Sequence, residues 1–356
     1  MMLIDAPRGR SFLLEVALAG DDAALGGALF HACRPFEPPR SVSYYTACGG
    51  TSEPPWNVPE VTPAELAARL EQVPLVQPAF DVVRDIVARV LDDAAYWQPP
   101  SGQDRLLATP EMREALSRVE EHLDIPWFDT SFNADEQWEW WWREESSQAH
   151  VVRPADRALR DWGEYTREEE VRLRRSRPFS GEWWSTPPFD VPLTTTLLPD
   201  GSPAGPYFVE DSFGWADARL RRVVVPAGVR VAEITGPQDW ADLCRRFPLE
   251  VTHQKRYDWA ECTGRKGRWL IPDFEEMAHH VDAVHLTVRG YLTTAGPAIP
   301  VDGEHASVLA GWAPENTYWL RNVAAGGGVT GLECVRLTPS PGGPEGSWFS
   351  CGGDPQ

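Results

Sequence analysis

The sequence predicts an α+β fold, with an α-rich N-terminal domain over residues 1–150 and a mixed or antiparallel β-sheet domain with flanking helices over residues 178–338. Three observations predict it. Apolar residues recur at helical spacing through residues 62–123; short β-rich runs replace them after Pro178; and a stretch of alternating charge, 151–177, separates the two regions as a helical linker. The Gly/Pro/Ser-rich segment 339–356 reads as a disordered tail.

The elements follow in order. The apolar run at residues 11–18 reads as a buried strand, and Asp21 to Ala32 as a short helix. Residues 34–60 are rich in Pro, Gly, Ser and Thr and read as an extended loop. Thr62-Pro63-Ala64-Glu65 is a capping box with Pro in the first turn, opening a helix whose apolar positions are Leu66, Leu70 and Val73. A second helix from about Pro78 to Ala95 places Phe80, Val83, Val87, Val90, Leu91 and Ala94 on one stripe, and Pro99-Pro100 stops it. A third opens at Thr109-Pro110 and uses Met112, Leu116, Val119 and Leu123. In Trp138–Arg143 a period of two sets Trp138, Trp140 and Trp142 on one face of a strand.

Beyond Pro178 the β-rich runs are Tyr207–Glu210, Leu220–Val225, Val229–Thr235, Arg268–Ile271 and Ala283–Tyr291. Ser307–Trp312 and Thr317–Arg321, joined by Ala313–Asn316, read as a hairpin. Two helices interrupt the strands. Pro237 to Phe247 aligns Trp240, Leu243, Cys244 and Phe247 on one face, and Asp273-Phe274-Glu275-Glu276 resembles a capping box.

Composition narrows the function classes. With 33 Lys+Arg against 53 Asp+Glu the formal charge is −20, which opposes general nucleic-acid binding and attraction to an anionic membrane. No apolar run approaches the roughly 20 residues that span a bilayer. Residues 8–19 superficially resemble a secretory leader, but Glu15 interrupts the apolar stretch, so a cytoplasmic location is expected. The six cysteines form no C-x-x-C pair and read as free thiols rather than a metal or disulfide framework. No dinucleotide fingerprint, P-loop or kinase signature occurs, so no cofactor can be named.

The C-terminal runs Trp269–Asp273, Val284–Leu292, Gly311–Pro314 and Tyr318–Leu320 resemble an uncharacterised protein family of high-GC actinobacteria. The resemblance covers about the last half of the chain and implies no activity.

Candidate chemistry centres on a few residues. The chain holds 17 Trp, more than twice its 8 Tyr, and Trp183-Trp184-Ser185 lies in a loop-like segment where two adjacent indoles cannot share one core face. Indole faces stack on cations, bases and sugars. Arg256 and Trp259 lie in the chain's most basic short region and would hold the anionic and aromatic parts of a ligand. Glu210 and Asp211 follow a predicted strand, where active-site groups often project, and suit acid/base work. His285 is placed opposite the Val284/Leu286 core face, toward a cleft or solvent. His279, His280 and His285 have the wrong spacing for a metal site, so no metal ligand is expected.

The expectation is a metal-independent enzyme acting on a small aromatic- or nucleotide-like ligand. The alternative is a protein-binding module, of a toxin/immunity or regulatory kind, with exposed Trp and Arg as anchors. A narrower alternative is ADP-ribosyl transfer, from the order Arg153, Ser185-Thr186, Glu233.

Overall fold

The computed structural model describes residues 2–19, 23–37, 60–142, 153–210, 217–322, 332–336 and 348–350. The architecture is α+β, as the sequence predicts: twelve α-helices and two β-sheets stand among the described residues. Of the expected loop at 34–60, residues 38–59 lie outside them and Arg34–Phe36 form a 3-10 turn; most of the expected tail also lies outside them, but its Trp348–Ser350 is a strand.

The N-terminal half packs helices α1 (Pro7–Leu18), α2 (Ala23–Cys33), α3 (Pro63–Glu71), α4 (Phe80–Asp92), α5 (Gly102–Leu107) and α6 (Pro110–His122). The expected strand at 11–18 is instead α1. Its residues from Arg8 to Leu14 are all buried, along with Val16 and Ala17, so the apolar stripe that marks a surface helix is absent. Pro7 starts it in the first turn. The capping box of α3 is formed, with Thr62 Oγ1 accepting from Glu65 N at 3.2 Å and Glu65 Oε2 accepting from Thr62 N at 2.8 Å.

Strand β1 (Gln137–Trp142) follows, then helix α7 (Ala155–Leu173), β2 (Leu193–Thr195), β3 (Asp217–Val223) and β4 (Val231–Ile234). Next come α8 (Pro237–Arg246), β5 (Pro248–Glu250), α9 (Thr252–Lys255), α10 (Asp258–Thr263), β6 (Arg268–Pro272) and α11 (Phe274–Met277). The remainder is β7 (Ala283–Leu286), α12 (Val288–Thr294), β8 (Ile299–Pro300), β9 (His305–Ser307), β10 (Asn316–Trp319), β11 (Leu332–Arg336) and β12 (Trp348–Ser350).

The larger sheet has the order β12-β11-β3-β1-β2-β10-β7-β4 and is antiparallel except for the β4–β7 pair. The smaller runs β5-β6-β9-β8, with β6 and β9 parallel. β1 lies between β3 and β2, so a strand from the first 150 residues sits inside the sheet of the C-terminal half. Its alternation is as read: Trp140 and Trp142 are buried against Ala218 and Leu220, their rings 5.5 Å apart and edge-to-face. α7 is not a free tether. It packs on α9 and α11, with Arg167 bridging to Asp273 and Glu275.

Three further expectations change. The Ala283–Tyr291 run is a short strand followed by a helix: Thr287 Oγ1 accepts from Gly290 N at 2.9 Å and caps α12. Tyr207–Glu210 is not a strand, because the amides of Tyr207 and Phe208 turn back to the Ala204 carbonyl. The two arms of the expected hairpin part company. β9 joins the small sheet and β10 the large one, and between them Gly311 (φ 80°) and Glu315 (φ 60°) are left-handed. Left-handed residues break the extended run that a hairpin arm requires.

Candidate functional site

The site forms where the first helices meet the C-terminal half, and Glu210 lies at its centre. The phenolic O–H of Tyr291, on α12, donates to Glu210 Oε1 at 2.7 Å. The amide of Gly311 donates to Oε2 at 2.6 Å. Tyr291 in turn shares a hydrogen bond of 3.1 Å with Tyr96, just beyond α4. Arg8 of α1 is buried nearby, donating to Asp104 at 2.6 Å, with its Nε unpartnered.

The sequence dictates much of this arrangement. Tyr96 lies in the turn between the end of α4 at Asp92 and Pro99-Pro100, and Tyr291 projects from α12 one turn after the Thr287 cap. Gly311 adopts φ 80° and lies so close to Trp184 that an added Cβ would stand 2.6 Å from the Trp184 Cβ. Only glycine can bring its amide to the carboxylate there.

Burial dominates the electrostatics. Burial pushes the partly buried carboxyl of Glu210 up to about 8, against the opposing hydrogen bonds from Tyr291 and Gly311. Tyr96 and Tyr291 are raised well above their ordinary value, first by burial and then by Glu210. For Arg8 burial works against the charge, but Asp104 and the neighbouring Tyr96, Tyr291 and Glu210 outweigh it and keep the guanidinium charged. A carboxyl titrating near 8 exchanges its proton within the physiological range.

A row of aromatic rings continues outward from Tyr96, the partner of Tyr291. Trp183 lies 4.8 Å from Trp97 and 6.0 Å from Tyr96, Trp184 is 6.0 Å from Trp183, and Phe189 is 5.5 Å from Trp184. Trp97, Trp183 and Trp184 are half-buried and Phe189 is 61% exposed, so the row forms a wall with an open side. Lys255 Nζ lies 5.6 Å from the Trp184 ring centre and donates to the Glu182 carbonyl at 2.7 Å.

The other predicted residues are placed differently. Asp211 lies outside the described residues. Ser185 is buried and its hydroxyl is occupied, accepting from Ala310 N at 3.0 Å and Trp312 Nε1 at 3.1 Å. It anchors the Trp183–Trp184 segment to residues 310–312. Trp259 is core: it is fully buried, 5.3 Å from Trp269, and its N–H donates to the Trp183 carbonyl at 2.7 Å. Arg256 does not offer an anion site, because its guanidinium donates to the Leu173 and Ser176 carbonyls at the end of α7.

His285 does face away from Val284 and Leu286, sharing a side with Thr317 on β10 at 3.0 Å. That side is covered by Phe132, 6.0 Å away, so His285 is buried rather than open to a cleft. Burial lowers it to about 4. Its Nε2 has no hydrogen-bond partner and stands 3.8 Å from Glu315 Oε2. His285 therefore belongs to a second polar cluster, on the opposite side of β10 from Tyr318, and does not touch Glu210.

Arg153, Ser185 and Glu233 are each committed elsewhere: Arg153 to Asp161 and Asp190, Ser185 to the 310–312 segment, and Glu233 to the Phe132 amide. Among the described residues no three His, Cys, Asp or Glu side chains gather as a metal site, and Cys33, Cys244 and Cys262 are free thiols. A cleft of about 300 Å³ lies elsewhere, lined by Asp156, Arg160, Glu275, His279 and Arg321, and contains none of the predicted site residues. No described helix is long and apolar enough to cross a membrane.

Sequence reasoning missed Arg8, Tyr96, Trp97, Tyr291 and Gly311. The only local signals were the Tyr-Trp pair before Pro-Pro and a Gly between two apolar runs. Comparison with family models, curated proteins and solved structures returns no match.

Proposed function

We propose that this chain is an enzyme acting on a small aromatic- or nucleotide-like molecule, seated against Trp97, Trp183 and Trp184, with Glu210 as the proton-transferring group. One observation carries the reading: a partly buried carboxyl, pushed up to about 8 and held on both oxygens by Tyr291 and Gly311, whose neighbours Tyr96 and Gly311 lie against the half-buried Trp183 and Trp184. Strongly perturbed carboxyls in aromatic-lined recesses are the usual mark of acid/base sites. Each oxygen of Glu210 keeps a further lone pair beyond the bond it accepts, so the ionised form could take a proton and the neutral form give one. The indoles would supply stacking area at little conformational cost.

A thermal-shift screen with nucleosides, nicotinamide nucleotides and aromatic amines tests this. A ligand at 100 times its dissociation constant stabilises by about 2.7 kcal/mol. The wild type is expected to shift with at least one class, and Trp184→Ala to lose that shift while folding normally. Silence across all classes would sink the reading.

A protein-binding module is the second reading. Phe179 (50% exposed) and Phe189 flank the Trp183–Trp184 segment, and Tyr165, also exposed, donates to Glu182 at its start. Exposed aromatics of this kind anchor interfaces. A silent small-molecule screen would favour it.

A further inference from the structure

Glu210 has two donors, and they come from different elements: Tyr291 from α12, and the Gly311 amide from the segment leading into β10. One residue fastens both elements. Glu315 is the single non-glycine among the described residues with a left-handed backbone, at φ 60°, and its side chain is buried. Residues without a special reason avoid this conformation, and they persist in it where the surroundings over-determine them.

The surroundings of Glu315 do so. Its amide donates to the Leu286 carbonyl at 2.7 Å, and its own carbonyl accepts from Thr196 N and from Thr195 Oγ1, each at 3.1 Å. Its carboxyl accepts from Thr196 Oγ1 at 3.0 Å through Oε2 and from the Val288 amide at 3.2 Å through Oε1. Val288 is the first residue of α12, so that bond fixes the start of the helix that carries Tyr291. The helix has no slack on its other side. A Cβ on Gly290 would stand 2.1 Å from the Ile234 carbonyl oxygen. Gly311 lies four residues before Glu315 in the same segment.

We propose that Glu315 is a positioning residue for the Glu210 carboxyl, clamping α12 to the 311–315 segment so that both donors converge on it. Its bearing on catalysis rests on the proposed role of Glu210; the clamping itself does not.

The test uses the full chain as wild type, Glu315→Ala, Glu315→Gln and Thr196→Val. Hydrogen exchange by mass spectrometry is read over residues 309–316, with α6 as internal reference. Glu315→Ala is expected to speed exchange at 309–316 about tenfold more than at α6, through the loss of two buried hydrogen bonds that leaves the Thr196 hydroxyl and the Val288 amide without their acceptor. Glu315→Gln, which retains an acceptor, should stay within about threefold of wild type by the same reasoning. The second readout is the midpoint of the Glu210 carboxyl, taken as the infrared difference between each background and its Glu210→Gln counterpart. Both donors favour the ionised form, so Glu315→Ala should raise that midpoint.

Equal acceleration in both regions, or a midpoint unmoved or lowered, would overturn the proposal and leave Glu315 a packing residue. Should Glu315→Ala fail to fold, Thr196→Val must show the same two effects with smaller size, or the proposal falls. The failures are separable. A silent ligand screen with a positive exchange result removes the proposed function alone, and ligand binding with an unresponsive 309–316 segment removes the clamp alone.

Discussion

Replacing Glu210 by Gln should reverse a pH-dependent loss of stability that the wild-type chain carries. Burial pushes the Glu210 carboxyl from an ordinary 4.5 to about 8. In that window the folded chain keeps a proton that the unfolded chain has released. Stability therefore falls with rising pH, by about 1.4 kcal/mol for each pH unit. The Glu210 contribution is fully present below about 4.5 and is lost as pH passes through 8. Over the whole window the upper limit is roughly 5 kcal/mol, a large part of the net stability of an ordinary domain. The assay is urea unfolding of wild type and Glu210→Gln at intervals from pH 4.5 to 9. Taking the difference between the two chains cancels every other titration, including that of Glu315, which burial also raises to about 8. Wild type should lose ground to Glu210→Gln steadily across the window and then level off. A flat difference, or one that favours wild type as pH rises, would show that Glu210 ionises freely and that the burial argument is wrong.

Other outcomes follow from the same geometry. Tyr291→Phe removes a 2.7 Å bond to Glu210 and should cost about 1–2 kcal/mol in urea unfolding, while moving the Glu210 midpoint upward. Trp259→Ala empties a fully buried site and should cost about 3–5 kcal/mol; calorimetry on the remaining folded protein should show any ligand still bound, since that indole is core. Gly290→Ala forces a Cβ onto the Ile234 carbonyl and should destabilise by about 1–3 kcal/mol, measured by chemical denaturation. Lys255 carries the opposite sign to Glu210. Burial lowers it from 10.5 to about 8, so wild type should gain on Lys255→Met as pH climbs between those values, and a loss there would refute the burial argument.

What the sequence could reveal depended on how local the cause was. The α3 capping box needs only Thr62 and Glu65, three residues apart, and it was legible. The Trp138/Trp140/Trp142 face and the Trp240–Cys244 helix face are periodic, and both formed as read. α1 was misread because residues buried on every side carry no period, and an apolar run of that kind fits a strand as well as a helix. His285 was given the correct face of its strand but the wrong environment, since Phe132, which covers it, lies far away in the chain. The site itself was the least legible part. Glu210 was identified from its place beyond an apolar run, yet Tyr291 is 81 residues away from it and Tyr96 lies 195 residues from Tyr291. Trp259 and Arg256 have the composition of a binding loop, but one completes a core and the other caps a helix end.

The placement of β1 between β3 and β2 also has a consequence for how the molecule comes into being. A ribosome emits the six described helices of the first half long before the strands that flank β1, so a Trp-rich strand must wait without those partners while some fifty further residues appear before β2. Sheets built from such distant partners close slowly, and the waiting edge is open to mispairing. The same delay applies to Glu210, which has neither of its donors until residues 291 and 311 have emerged. A nascent chain is thus without its candidate chemistry until the large sheet is nearly complete, and any chaperone dependence of this protein should concentrate on the interval between β1 and β10.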